Sequence, residues 1–188
     1  MNVALIWTWL YWCWAGGEIV LAIFKRAPSD ADTRDRGSQM ILWAVIFPAV
    51  TVCEFIRHLW PPNLPGGAAL LDLISLTILI IGLLIRTVAI VSLGKSFTAN
   101  VAIQASQNVH QTGLYGIVRH PSYLGLLLVL IAIGLHSKNY MGLAVAVIPT
   151  TAAMLYRIHI EELALVKAFG NDYRVYSRRT KRLLPGVF

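Results

Sequence analysis

Charge is scarce in this chain, and acidic charge is scarcer still: Asp, Glu, Lys and Arg make up 13% of residues, with nine acidic against sixteen basic. A soluble domain carries about a quarter charged residues. The low value, beside 57% hydrophobic residues, excludes an ordinary water-soluble fold and indicates an all-α integral membrane protein. Cysteine is limited to Cys13 and Cys53, both inside apolar runs, which excludes a disulfide framework and a thiolate zinc centre. His136 and His159 have no companion at ligand spacing, so no metal is expected. No Ser-, Gly- or Pro-rich linker and no internal repeat divides residues 1–188, so one membrane domain is expected. The opening "MNVALIWTWLYWCW" lacks a basic leader region and a small-residue cleavage site, so the first apolar run is expected to stay as a membrane helix.

What is present is apolar length. About 20 apolar residues cross the hydrocarbon core, and five runs are candidates: 3–24, 40–60, 69–93, Pro121 to His136 and Tyr140 to Tyr156. The breaker "PPNLPGG" predicts a tight turn before the third. The last two, separated by "SKN", predict a short helical hairpin. Five transmembrane helices followed by a C-terminal helix and tail are therefore expected. The tail should begin as an amphipathic helix, break near Gly170 and continue as a basic segment suited to an anionic membrane surface. The polar segment 94–120 reads as an ordered loop.

The net charge of +7 has two readings, nucleic acid or membrane orientation. In a membrane chain basic residues gather in cytoplasmic loops, so no nucleic-acid partner is expected. Lys25, Arg26, Arg34 and Arg36 fill the first loop, no basic residue lies between His58 and the third helix, and Lys95, Arg119 and the tail hold most of the rest. This places the N-terminus outside and the first loop, the 94–120 segment and the C-terminus in the cytoplasm. Trp7, Trp9, Tyr11, Trp12 and Trp14 suit an interfacial aromatic belt. Glu54, Arg57 and His58 read as an end-of-helix cluster on the outer side. Glu18 and Arg86 lie toward the cytoplasmic ends of their spans, suited to mutual pairing or to lining a pocket.

Chemistry concentrates in two stretches. In "GLYGIVRHPSYLG", Pro121 suits the first position of a helix, which leaves the N–H groups of Ser122 and Tyr123 without intrahelical partners. A carboxylate or phosphate can sit at such an end. On spacing alone, Arg119 and His120 also suit interfacial anchors. In "RIHIEE", Arg157 and Glu161 are four residues apart and share a helix face, with Glu162 about a quarter-turn away. An ordinary ion pair accounts for this spacing equally well.

Taken with "FGNDYRVY" and a late proline, these residues resemble the isoprenylcysteine carboxyl methyltransferase family. The matching positions are Gly113, Tyr115, Arg119, His120, Pro121, Tyr123, Gly125, Arg157, Glu161, Glu162, Phe169, Gly170, Tyr173, Tyr176 and Pro185. The resemblance covers the C-terminal half and implies that 94–188 is the cofactor-binding and catalytic half, behind N-terminal helices in 1–93. It implies S-adenosylmethionine at the cytoplasmic face, contacted by Tyr115, His120, Pro121, Ser122, Tyr123 and Glu161. It further implies a lipophilic carboxylate substrate entering from the bilayer and held by Arg157. The segment Gln107, Asn108, Val109 and His110 corresponds approximately to a further cofactor-binding stretch, although it departs from the family pattern.

The implied chemistry suits these residue types. Methyl transfer from a sulfonium to a carboxylate neutralises two opposite charges, and a carboxylate is ionised at pH 7 without a general base. Alignment and exclusion of water are what help. Three other readings compete. A phospholipid amine methyltransferase shares the cofactor but must deprotonate its nucleophile. An NADPH-dependent membrane sterol or ene reductase shares an RHP-x-Y stretch, but calls for recognition of a 2′-phosphate. A non-catalytic scaffold or transporter subunit would line a path across the membrane instead of one side.

Overall fold

The computed structural model describes residues 3–24, 37–94 and 109–186. They form six helices: α1 (Val3–Phe24), α2 (Ser38–Leu59), α3 (Ala68–Leu93), α4 (Pro121–His136), α5 (Tyr140–Phe169) and α6 (Asn171–Arg179). Three of the five expected spans, α2, α3 and α5, are long and apolar enough to cross a membrane, whereas α4 is apolar but shorter. At 16 residues α4 is about 24 Å long, against a core of about 30 Å. α1 has the length, at 22 residues, but four tryptophans, a tyrosine and Glu18 dilute its apolar character.

Helix ends follow local chemistry. Pro121 starts α4, because its missing N–H would have no partner there. Asn139 caps α5, its side chain accepting from Met141 N at 2.9 Å. α4 and α5 are joined only by Ser137–Asn139, which makes the expected hairpin. α5 runs unbroken through the expected amphipathic segment and stops at Gly170, whose φ of +53° suits glycine. The basic tail beyond it then forms α6, because Tyr173 and Tyr176, one helical turn apart, are both buried.

α4 packs between α3 and α5, α2 lies along α5, and α1 lies on α3. Glycine makes the α3–α4 contact close. A Cβ on Gly125 would stand 2.6 Å from Arg86 N, and one on Gly82 would stand 2.9 Å from Gly125 O. Small residues at such crossings let backbones approach where lipid supplies no hydrophobic drive. The core holds Leu79, Leu126, Val129, Leu130, Ile133, Met154 and Ile158, all buried. The outer faces expose Phe47, Phe55, Leu73, Leu84, Val91 and Ile148, as a lipid-facing surface requires.

The expected aromatic belt divides by helix face. Trp9 and Trp12 are exposed, but Trp7 and Trp14 point into the protein. Trp7 stacks on His136 at 3.9 Å. Around that ring the Glu54 cluster extends across helices: Arg57 Nη1 lies 3.2 Å from His136 Nε2, and His136 Nδ1 lies 3.2 Å from Asp72 Oδ1. Lys138 Nζ donates to Asp72 Oδ2 at 2.9 Å. A polar knot thus ties one end of the bundle, and the candidate site occupies the other.

Candidate functional site

The two chemistry-bearing stretches meet at the start of α4. Arg157, buried on α5, donates from Nε to the Tyr123 hydroxyl at 2.7 Å and from Nη1 to Ser38 Oγ at 3.0 Å. His120, buried just before Pro121, has Nδ1 3.9 Å from Glu161 Oε2 and packs on the Tyr123 ring at 5.7 Å. The i,i+4 spacing of Arg157 and Glu161 therefore points both toward α4.

Glu162, the weaker of the two glutamates on spacing, proves the more heavily bonded. It accepts from Arg119 Nε and Arg182 Nε, each at 2.9 Å, and lies 3.5 Å from His120 Nε2. Arg119 also donates from Nη1 to Ser177 O at 2.7 Å and to Thr180 O. This guanidinium is thereby committed to holding the C-terminal segment. Glu161 keeps 31% of its side-chain surface exposed, against 12% for Glu162, so Glu161 is the carboxylate that a ligand can reach.

The C-terminal segment straps the motif from outside. Val118 and Lys181 form a parallel bridge, Arg119 N donates to Lys181 O at 2.8 Å and His120 N to Arg182 O at 3.0 Å. Tyr115, buried in a short 3-10 turn at Gly113–Gly116, donates to Ala89 O at 3.3 Å, while its own carbonyl accepts from Tyr176 at 2.6 Å. Burial pushes the Tyr176 hydroxyl up to about 12, so it remains a donor at neutral pH. Val109 and His110 lie beside this turn, His110 packing edge-on to Tyr115 at 5.2 Å. Gln107 and Asn108 lie outside the described residues.

Behind the motif, Arg86 and Glu18 do pair. Arg86 Nε donates to Glu18 Oε1, and Nη2 to Oε2 at 2.6 Å. Trp14 Nε1 donates to Glu18 Oε1 at 3.1 Å. Arg86 Nη1 then reaches α4, donating to Ser122 O at 3.1 Å and Ser122 Oγ at 2.9 Å. Pro121 and Ser122 are buried, and Ser122 spends its hydroxyl on this pair.

Two buried polar atoms at the site lack a well-formed hydrogen bond among the described residues: the Tyr173 hydroxyl, and His120 Nε2, whose contact with Glu162 is a long 3.5 Å. Such atoms are rare in folded proteins and call for a reason. Ser38 was not legible as a site residue, because its only signal is its place at the start of α2. Tyr173 carried a signal in the FGxxYxxY pattern.

A model of the isoprenylcysteine carboxyl methyltransferase family matches residues 74–167, half of the chain. The chain belongs to this family. Among its relatives, protein-S-isoprenylcysteine O-methyltransferase B of Arabidopsis thaliana is 31% identical over 145 residues, covering 76% of this chain and 66% of the relative. Methanethiol S-methyltransferase 2 of Bradyrhizobium diazoefficiens is 39% identical over 75 residues, 40% of this chain and 28% of that protein. The solved eukaryotic intramembrane Ras methyltransferase ICMT shares the fold, with TM-score 0.54 and 23% identity over 80% of this chain and 50% of that one. This family member thus spans 66% of the plant relative's length and half of the solved chain. The family match takes in α4 and the Arg157–Glu162 stretch and stops before α6.

Proposed function

We propose that this family member transfers a methyl group from S-adenosylmethionine to the carboxylate of a lipophilic, isoprenylcysteine-like substrate at the cytoplasmic membrane face. The observation that carries this reading is the meeting of Tyr123 with Arg157 at 2.7 Å beside His120 and Glu161. One wall comes from a loop-to-helix junction and the other from α5. In this reading the chain crosses the membrane with its N-terminus outside, and the junction sits in the cytoplasmic interface, where a lipid tail can remain in the bilayer while its carboxylate reaches Arg157.

The residues present fit the donor. Glu161 offers an accessible carboxylate for an ammonium or ribose hydroxyls, Tyr115, Tyr123 and His120 offer ring faces, and the Tyr173 hydroxyl offers a buried polar contact without a partner among the described residues. The N–H groups at the start of α4 suit the donor's carboxylate, and Gln107 through His110 would close the same wall. When bound, S-adenosylmethionine supplies an electrophilic methyl group on a sulfonium.

The chain's own residues then do three things. Arg157 binds the acceptor carboxylate and orients one oxygen, its guanidinium held by Tyr123 and Ser38. Glu161 places the donor against α4. Exclusion of water by the bound ligands between these walls would remove the hydration that otherwise stabilises the separated charges before transfer. No residue needs to accept a proton, because the nucleophile is already an anion.

The test is methyl transfer from labelled S-adenosylmethionine by the purified chain in lipid vesicles, offered prenylcysteine, isoprenoid and fatty acids, an aminophospholipid and a small thiol. Label released from prenylcysteine by mild base, as a methyl ester requires, is the expected outcome. Label in no acceptor would overturn the reading. The methanethiol S-methyltransferase relatives support a second reading, in which a thiol is the acceptor. A thiol near pKa 8.5 must first lose its proton, so its rate would climb about tenfold per pH unit below that value, whereas carboxylate transfer would stay level from pH 6 to 8.

A further inference from the structure

α6 has two faces of opposite character. Tyr173 and Tyr176, one helical turn apart on α6, are buried on one side, as is Thr180 just beyond its end. Arg174, Val175, Arg178 and Arg179 fill the opposite arc, and all four are exposed. Lys181 is exposed just beyond. Among the described residues these four cations join no ion pair, and the helix carries one carboxylate, Asp172.

The level of this patch follows from the chain path. α5, at 30 residues, is about 45 Å long and outruns a hydrocarbon core of about 30 Å. After Gly170 the chain turns back, and the end of α6 returns to the start of α4 through the Val118–Lys181 bridge. α4 is apolar from its second turn onward, so its start marks the membrane–water boundary. There Ile117 is 56% exposed and Leu184 is 42% exposed, beside the cations. Apolar side chains for the acyl boundary next to basic ones for headgroups are the composition of an interfacial surface. An acidic protein would neutralise the cations without giving Ile117 and Leu184 an apolar medium.

We propose that Arg174, Arg178, Arg179 and Lys181, with Ile117 and Leu184, form a surface that rests on anionic lipid headgroups. The inner side of the same element holds the candidate site, through Tyr176 on the Tyr115 carbonyl and Arg119 on the Ser177 and Thr180 carbonyls. Lipid contact therefore bears directly on the packing of the wall that carries Tyr115 and His120. The inference rests on membrane location and is independent of which group is methylated.

Hydrogen–deuterium exchange of the full chain tests it, in vesicles of phosphatidylcholine alone and of phosphatidylcholine mixed with phosphatidylglycerol. Exchange over 171–186 should slow about tenfold with the anionic lipid, given the attraction each surface cation adds. The protection should collapse at 1 M salt, where the Debye length falls to about 3 Å. It should also vanish in R174Q/R178Q/R179Q/K181Q, which leaves the buried face of α6 intact. Equal exchange in the two vesicles would overturn the proposal, as would protection that survives 1 M salt in the unaltered chain. Protection by soluble polyglutamate in neutral vesicles, matching that of the anionic ones, would assign the patch to an acidic protein instead. Exchange involves neither donor nor acceptor, so failure of the methyl-transfer assay leaves this outcome readable.

Discussion

Glu18 and Arg86 form a buried charge pair between α1 and α3 whose free end holds the first turn of α4, and breaking it has a predictable asymmetry. Glu18→Leu strands the Arg86 guanidinium and removes the acceptor of Trp14 Nε1. Leaving one member of a buried pair uncompensated costs about 3–5 kcal/mol. At about 2–4 °C per kcal/mol for a chain of this size, melting should fall by about 6–20 °C. Replacing both members with apolar residues is often neutral, so Glu18→Leu with Arg86→Met should recover most of that loss. It should not recover donor affinity, because Ser122 O and Oγ both lose their donor at the α4 start. One charged hydrogen bond is worth about 1.5–3 kcal/mol, so, on the proposed function, S-adenosylmethionine should bind at least about tenfold more weakly in the double variant. Scanning fluorimetry in detergent and titration calorimetry measure the two quantities. A single variant that melts like the unaltered chain, or a double variant that melts no higher than the single, would refute the coupling.

The two adjacent glutamates should separate by assay. On the proposed function, Glu161→Gln should lower methyl transfer by about a hundredfold with melting almost unchanged, since its carboxylate is partly exposed beside His120. Glu162→Gln should lower melting first, by about 2–4 °C for each kcal/mol lost, because it frees both Arg119 and Arg182; the reverse pattern would exchange their roles. Tyr123→Phe removes the oxygen that accepts from Arg157 and should raise the acceptor KM about tenfold or more, read from initial rates with kcat nearly constant. Gly125→Ala forces a Cβ against backbone atoms of α3 at 2.6 and 2.7 Å, and should cost about 1–3 kcal/mol in unfolding measurements.

Much of the frame was legible because it is set locally. Pro121 starts α4 through its own missing N–H, and Gly170 ends α5 through its freedom at positive φ. The spacing of Arg157 and Glu161 put both on one face, and the structure turns that face toward His120 and Tyr123. The span count was less secure, because apolar runs do not reveal how four tryptophans and a glutamate on one helix will be distributed between lipid and core.

The apolar helical frame, the helix boundaries around the site and the residue types available for chemistry are local properties, since periodicity, proline and glycine act within a few residues. How the charges are used depends on long-range packing. Arg157 meets Ser38 across 119 residues, Arg86 meets Glu18 across 68 and Arg119 meets Glu162 across 43. No local rule ranks partners at such separations. In an apolar interior each charge takes the partner that packing brings within reach, because a buried charge without one is costly. That is why Glu162, beside Glu161 on the same helix, is bound into the structure while Glu161 faces the site.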